Sequence, residues 1–433
     1  MNATVPFHVF QYSAQRPGGR MRLATHLLTN RYTFAGAFLL AIVLPELFHP
    51  IFLGGPWLDI VLTFEPSILV ATLCLIVAHV GMRKVGQLPL IDDRLLIFPT
   101  FLFAFTAGSL ALAWIVRDVG RYHMLAGGLI GVSWYLFIAI LANRVKDPCL
   151  AFVGDASQAV RLLGERISWI SLDQPSLPPG VVGIVFDAHQ EASPEWERLF
   201  ARAVLRNIPV YDLFDLREMM TGRVRLRSRP ELVFGQLMPS LPYLRLKRVL
   251  DTVIAVPALV LASPILVIAA LAIRLESPGP ALFVQRRIGY QGRVFNCYKL
   301  RSMRASLPGP AYTTEHDPRI TRIGRFIRKW RIDELPQIVN IIKGQMSWIG
   351  PRPEARSLAS QYKREIPYYA YRHAVRPGIS GWAAVHQGNV ALTDAATEKL
   401  EYDFYYIKHF SVWLDILITL MTVRTVLTGF GSR

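Results

Sequence analysis

Val249-Leu-Asp-Thr-Val-Ile-Ala-Val-Pro-Ala-Leu-Val-Leu-Ala-Ser-Pro264-Ile-Leu-Val-Ile-Ala-Ala-Leu-Ala-Ile273 is apolar for long enough to cross a hydrocarbon core of ~30 Å. It is entered from Arg245, Lys247 and Arg248 and left through Arg274. If it spanned, the arginine-rich remainder of the chain would face away from the side where basic segments collect. Ala262-Ser263-Pro264 lies near its centre. The proline removes a backbone donor and crowds the preceding turn, and the serine hydroxyl can satisfy the carbonyl set free. A helix broken there, entering and leaving by one face, satisfies the charge pattern and the proline together. An ordinary proline-kinked span is the alternative.

Upstream, four more apolar segments stand near Tyr32–Leu53, Ile60–Met82, Leu95–Val116 and His123–Ala142, each about the ~20 residues that a membrane helix needs. The polar arm 1–31 carries Arg16, Arg20, Arg22 and Arg31, and the apolar stretch after it is too long for the core of a cleaved leader. Arg83, Lys84, Arg94, Arg144 and Lys146 put the arm and everything after Ala142 on the cytosolic side, although Arg117 and Arg121 oppose that count. Glu46, Glu65 and His79 form no matched cluster and read as interfacial or packing residues rather than a transport path.

The composition agrees with this division. The 433 residues leave room for about three units, and 52% are hydrophobic against 18% charged, which excludes an ordinary soluble domain. Lys and Arg number 48 against 31 Asp and Glu, so the net charge of +17 suits phosphates or acidic headgroups. Three separated cysteines suggest neither a zinc site nor a disulfide scaffold.

Residues 147–240 alternate short apolar runs with helical stretches and read as a small Rossmann-like α/β domain. Between its first strand and helix, Val153-Gly154-Asp155-Ala156-Ser157 offers a single glycine where a dinucleotide fingerprint needs several. A structural or regulatory domain is the expectation.

Beyond Arg274 come Ser277-Pro-Gly-Pro280, two strand-like stretches around Phe283–Gly289 and Phe295–Met303, and Arg319, Arg322, Arg325 and Arg328 at three-residue spacing. On a helix these make a basic face beside an apolar one, suited to a membrane surface. Asp333-Glu334 follows. Adjacent carboxylates repel, so they need a guanidinium or a divalent cation such as magnesium to stay ionised together, and one of them would then be free to attack phosphorus. Taken alone, such a pair is more often a plain surface feature. Gly350-Pro-Arg352-Pro and Arg376-Pro-Gly378 hold arginines on rigid turns, a geometry suited to bidentate phosphate binding.

Taken in order, the Lys-Arg start with Ser263-Pro264, Ser277–Pro280, Tyr298-Lys299-Leu-Arg301-Ser-Met303, Asp333-Glu-Leu-Pro-Gln337, Gly350–Pro353 and Arg376–Gly378 resemble the bacterial sugar transferases, the monotopic phosphoglycosyl transferases. The whole chain is similar in layout to the long polyprenyl-phosphate hexose-1-phosphate transferases. The resemblance implies an α-helical N-terminal bundle (32–146), the α/β domain, and a mixed α/β monotopic catalytic domain (241–433) with a re-entrant helix at 249–273. It implies transfer of a hexose-1-phosphate from a UDP-hexose to polyprenyl (undecaprenyl) phosphate, releasing UMP, as the first step of exopolysaccharide or O-antigen synthesis. Asp333 would be the nucleophile and Glu334 the Mg2+ ligand. Arg328 and Arg352 would bind substrate phosphate, with Lys299, Arg301 and Arg376 as further candidates, and Asp403 matches another acidic position. The expected setting is the cytosolic face of the bacterial inner membrane, with membrane lipid as a partner, self-association compatible, and no nucleic acid.

Two departures stand out. Trp330-Arg331 replaces small polar residues before the dyad, and Val385-His386-Gln387-Gly388 replaces the frequent Val-Asn-Gly-Arg, which leaves the donor between glucose and galactose, ahead of N-acetylated sugars. The competing reading is a catalytically inactive, membrane-anchored regulatory or binding protein, against which the intact dyad argues. A transporter lacks a paired set of charges in the spans.

Overall fold

The structure, a computed structural model, describes residues 31–44, 66–85, 93–115, 121–142, 149–163, 167–188, 193–225, 239–304, 317–387 and 393–428. The expected N-terminal arm before Arg31, the end of the first expected span, and Glu46, Glu65, Arg144 and Lys146 lie outside them. Contacts gather the chain into two units, Met1–Gly222 and Arg223–Arg433.

The first unit opens with α1 (Arg31–Phe38), which passes into a π-helical turn at Leu39–Val43, followed by α2 (Pro66–Val85), α3 (Asp93–Ile115) and α4 (Arg121–Ala142). Small residues let these helices approach, as apolar helices in lipid require. A Cβ on Gly108 would sit 2.2 Å from Cys74 Sγ, and one on Gly131 would sit 2.6 Å from the Phe101 ring. The large side chains Leu73, Phe103, Leu129 and Phe137 point outward, each more than half exposed, a surface that water disfavours and lipid accepts. Pro66–Arg83 and Met124–Leu141 are long and apolar enough to cross a membrane, whereas Arg31–Val43 and Thr100–Ala113 are shorter apolar stretches among the described residues. His79 has a partner inside this bundle: its Nδ1 and Tyr135 OH share a hydrogen bond of 2.6 Å, which makes it a packing residue.

The same unit carries a parallel four-stranded sheet of order β2-β1-β3-β4, with β1 Cys149–Val153, β2 Ser168–Leu172, β3 Val181–Phe186 and β4 Val210–Asp212. Its central strands β1 and β3 are continuous apolar runs because both faces of the sheet are covered, whereas the edge strands β2 and β4 carry Ser168, Ser171 and Asp212. Ala156, Ala159 and Leu163 of α5 (Ala156–Leu163) pack with Leu213 and Leu216 of α7 (Leu213–Thr221) against Phe152 and Trp169. Leu199 and Ala203 of α6 (Pro194–Leu205) pack against Ala151 and Ile184. At the head of α5, where a dinucleotide phosphate would sit, Asp155 Oδ1 accepts from Ser157 N at 2.9 Å and Ser171 Oγ accepts from Ala156 N at 3.0 Å. The chain itself satisfies the donors that a phosphate would use.

The second unit is built along α8, one helix of 36 residues from Leu241 to Glu276, also long and apolar enough to cross a membrane. Lys247, Asp251, Ala255, Ala262, Ala269 and Ile273 form its buried stripe. Their spacing of four and seven residues keeps them on one face. The expected break does not interrupt it, for Pro257 and Pro264 both lie inside the helix. The reason is local. Pro264 denies the Val260 carbonyl its N–H partner, and Ser263 Oγ donates to that carbonyl at 2.7 Å. Antiparallel β5 (Leu282–Ile288) and β6 (Val294–Leu300) follow, then α9 (Arg322–Lys329), a 3-10 turn at Ile332–Gln337, α10 (Ile338–Ile342) and β7 (Ser347–Ile349). The remaining elements are α11 (Arg356–Glu365), a 3-10 turn at Tyr369–Ala374, β8 (Gly378–Ser380) parallel to β7, α12 (Trp382–Gln387), α13 (Thr393–Lys408) and α14 (Val412–Thr428).

The basic helix is shorter than its arginine spacing suggests. Thr321 accepts from Gly324 N at 2.9 Å and caps α9, while Glu276 from the end of α8 accepts from Arg322 N at 2.7 Å. Arg319 therefore stands outside the helix, forked onto Asp317 at 2.6 Å.

This unit begins at Arg223, which pairs with Glu398 and with Glu401 at 3.1 Å and lies over the Tyr402 ring, while Val224 N donates to the Glu401 carbonyl. Part-exposed ion pairs and one added backbone hydrogen bond contribute about 2 kcal/mol together. A fragment starting at Arg223 is expected to melt roughly 5 °C above one starting at Leu241 in the same detergent. Equal melting temperatures would show that this strap contributes nothing.

Candidate active site

The dyad is presented by a strained turn. Arg331 adopts a left-handed conformation at φ 55°, a position few side chains tolerate, and directs the chain from α9 into the 3-10 turn that carries Asp333 and Glu334 inward. Both carboxylates are buried, at 8% and 6% exposure. Their surroundings differ sharply.

Glu334 is tied down. Arg352 grips it with both arms, Nη2 on Oε1 and Nη1 on Oε2 at 3.3 Å, while Lys299 Nζ lies 3.4 Å from Oε1 and Arg331 Nη1 3.9 Å from Oε2. Burial alone would raise this carboxyl, but Arg352 and then Lys299 outweigh it and hold Glu334 well below the usual range. Asp333 accepts no hydrogen bond among the described residues. Burial and then the neighbouring Glu334 charge push it up to about 6, against the opposing pull of Lys299, Arg328 and Arg352. Two adjacent carboxyls pushed apart in this way take different roles, one a fixed counter-ion and the other an oxygen nucleophile with free lone pairs.

The cations come from separate elements. Lys299 is on β6, where hairpin pairing places it opposite Phe283, and Arg328 is on α9. Arg352 follows β7 on a turn that two glycines make possible. A Cβ on Gly350 would lie 2.3 Å from Arg376 O and one on Gly378 2.2 Å from Gly350 N, so the Gly-Pro-Arg-Pro and Arg-Pro-Gly segments cross backbone to backbone. Four cations, Lys299, Arg328, Arg331 and Arg352, surround two carboxylates. The surplus positive charge suits a diphosphate.

Three residues expected here are placed elsewhere. Arg301 lies past the end of β6 and donates to Pro278 O at 2.6 Å and Ser277 O at 2.7 Å, closing the C-terminus of α8. Arg376 donates to Gly344 O at 3.1 Å and stacks on Tyr290. Asp403 is buried on α13 against Arg372, with Oδ2 2.7 Å from Nη2. The sequence reading missed Arg287 and Arg372 as neighbours of the site and took Arg331 only as a departure. For Arg287 a signal was present. It adjoins Arg286 on a strand, so only one of the two could turn inward, and Arg287 donates to Pro353 O beside Arg352.

Magnesium does not find a ready cage. Among the described residues no three His, Cys, Asp or Glu side chains gather to hold a metal, and both oxygens of Glu334 are already engaged by Arg352. An ion at Glu334 would share its oxygens with Arg352 and Lys299.

A nucleophilic Asp333 must be ionised. Any turnover that depends on it should rise with pH through about 6 and level off above it. A flat profile from pH 5 to 8 would show that the Asp333 carboxyl is not raised in this way or that another group attacks.

The bacterial sugar transferase family model matches residues 242–429. A UDP-N-acetylgalactosamine-undecaprenyl-phosphate N-acetylgalactosaminephosphotransferase of Aeromonas hydrophila is 49% identical over 334 residues, covering 75% of this chain and 78% of its own. A UDP-glucose:undecaprenyl-phosphate glucose-1-phosphate transferase of Escherichia coli K12 is 42% identical over 182 residues, 41% of this chain and 39% of its own. A Bacillus subtilis protein described as a putative undecaprenyl-phosphate N-acetylgalactosaminyl 1-phosphate transferase is 47% identical over 132 residues, 30% of this chain and 74% of its own.

Proposed function

The chain belongs to the bacterial sugar transferase family, and from that premise we propose that it moves a sugar-1-phosphate from a UDP-sugar to undecaprenyl phosphate at the cytosolic face of the inner membrane. The observation that carries this reading is the buried dyad, with one carboxylate locked by Arg352 and Lys299 and the other free and ringed by cations.

Asp333 attacks the β-phosphorus, which bears the sugar. The bond to the oxygen bridging the α- and β-phosphates breaks, and UMP leaves with that oxygen and its electron pair. Arg352, Lys299 and Arg328 counter the charge that develops on the phosphoryl oxygens. An oxygen of undecaprenyl phosphate then attacks the same phosphorus, restoring the Asp333 carboxylate and giving the undecaprenyl-diphosphate sugar. Magnesium belongs to this reading as a companion of the substrate diphosphate rather than a resident ion, since such ions are commonly held by phosphates and water with few protein ligands.

The donor we favour is UDP-N-acetylgalactosamine, ahead of the glucose and galactose that the sequence suggested. The Aeromonas relative that bears this sugar in its description is 49% identical along 75% of the chain, while a Xanthomonas campestris glucose-1-phosphate transferase that aligns along 67% is 38% identical. UDP-sugars are cytosolic, so in this reading the Asp333–Glu334 dyad faces the cytosol.

The test uses sealed membrane vesicles of both orientations, supplied in turn with each UDP-sugar labelled in the sugar. Inside-out vesicles should release one UMP for every labelled sugar found in the polyprenyl fraction. Release of UDP in place of UMP would mean glycosyl rather than phosphoglycosyl transfer and overturn the reading.

A further inference from the structure

Pro351-Arg352-Pro353 presents an unusual problem, because an arginine that must meet a diphosphate sits between two residues with no backbone donor. Backbone hydrogen bonds hold either side of it, from Gly378 N to the Pro351 carbonyl and from Ile288 N to the Glu354 carbonyl, each at 3.1 Å, but the Arg352 and Pro353 carbonyls between them are met by side chains. Three consecutive residues are each held by a cation, and two of these cations, Arg372 and Lys399, are buried. The Arg352 carbonyl accepts from Arg372 Nη2 at 2.9 Å, the Pro353 carbonyl accepts from Arg287 Nη1, and the Glu354 carboxylate is paired with Lys399 and lies 3.8 Å from Arg372 Nη1. Arg372 is the hub. At 3% exposure it also meets Asp403 Oδ2, from Nε at 3.0 Å and Nη2 at 2.7 Å, and donates from Nη1 to Tyr369 OH at 2.8 Å. Each of the three nitrogens of this buried guanidinium is engaged inside the protein. Such a group is costly to bury and is retained where it fixes a geometry.

We propose that Arg372, held by Asp403, is a positioning residue for the transfer reaction: it fixes the main chain at Arg352 so that the Arg352 guanidinium is preset for the donor's diphosphate. The proposal rests on the reading that Arg352 touches substrate phosphate. It gives Asp403 a part that the sequence could not supply, as the anion that orients Arg372 from α13 and not as a group facing substrate. Setting a side chain before substrate arrives lowers the ordering cost of binding, so its loss falls chiefly on KM.

The experiment is a double-mutant cycle in the full-length protein in nanodiscs, reading UMP release. Arg352→Ala is expected to lose ~100-fold in kcat/KM, the scale for removing one donor to transition-state charge. Arg372→Gln should lose ~10-fold, mostly as raised KM for the UDP-sugar, on the scale of a supporting contact. Because Arg372 acts through Arg352, the double variant should match Arg352→Ala to within about twofold. A double variant ~10-fold below Arg352→Ala would show that Arg372 acts independently and would overturn the proposal, as would an Arg372→Gln protein with an unchanged KM. If Arg372→Gln does not fold, Asp403→Asn takes its place in the same cycle, because it keeps one acceptor oxygen and the side-chain shape. Wild-type activity in Arg352→Ala alongside a dead Asp333→Asn would instead refute the substrate contact of Arg352, a separate failure.

Discussion

Asp333→Asn is expected to abolish transfer, lowering turnover by ~10⁴-fold or more, in a protein that melts no lower than the wild type. The first half follows from the chemistry of the nucleophile: asparagine matches the carboxylate in shape, but its neutral amide does not attack phosphorus, and loss of a covalent nucleophile typically costs on that scale. The second half follows from electrostatics. Asp333 is buried beside Glu334 and pushed up to about 6, so ionising it is harder in the folded chain than in the unfolded one. A group displaced upward in this way weakens the fold as pH climbs from the ordinary carboxylate range, near 4, through about 6, and the full cost of about 3 kcal/mol persists above that. Removing the charge should therefore raise the melting temperature by several degrees at pH 8, and the difference should vanish below pH 4. Measurable turnover near the wild-type rate would end the covalent scheme. A lower melting temperature at pH 8 would end the account of a strained buried charge.

The parts of the molecule that the sequence disclosed are those governed by local rules. The apolar length of α8, the strands of the hairpin and the alternation of the α/β sheet depend on period and composition, and the structure shows each of them. Pro264 read as a break because a proline inside a helix normally is one, but the hydroxyl one residue earlier supplies the missing donor and the helix continues. Lys299 and Arg301 could not be separated by spacing, since both fall on one face of an extended strand. β6 ends at Leu300, so Arg301 leaves that face and closes α8 instead. The partners of Arg372 were beyond reach for another reason. Asp403 is 31 residues away and Arg352 is 20, and only the packing of α13 against the turn at Tyr369–Ala374 brings them together. A motif marks the residues that meet substrate, while the groups that hold them are set by tertiary contacts that no short pattern encodes.

Glu334→Gln, the same exchange of carboxylate for amide one position along, should have the opposite effect on stability. Glutamine can still accept from Arg352, but it leaves Arg352 and Lys299 buried without the charge that balances them. Removing one member of a buried ion pair typically costs 3–5 kcal/mol, so this variant should melt below the wild type where Asp333→Asn melts at or above it. Asp333 would respond. Freed from Glu334's repulsion and left as the nearest anion to two cations, its carboxyl should ionise at lower pH, moving the acid limb of the activity profile below 6. An aspartate drawn into those ion pairs is a poorer and misdirected nucleophile, and turnover should fall by ~10²–10³-fold. Magnesium then separates two accounts of Glu334. A metal ligand weakened to an amide is answered by raising the magnesium concentration, whereas a lost counter-ion to Arg352 is not. Titrating magnesium into the Glu334→Gln protein should therefore leave its turnover low, and recovery to within a few-fold of wild type would show that Glu334 holds the ion after all.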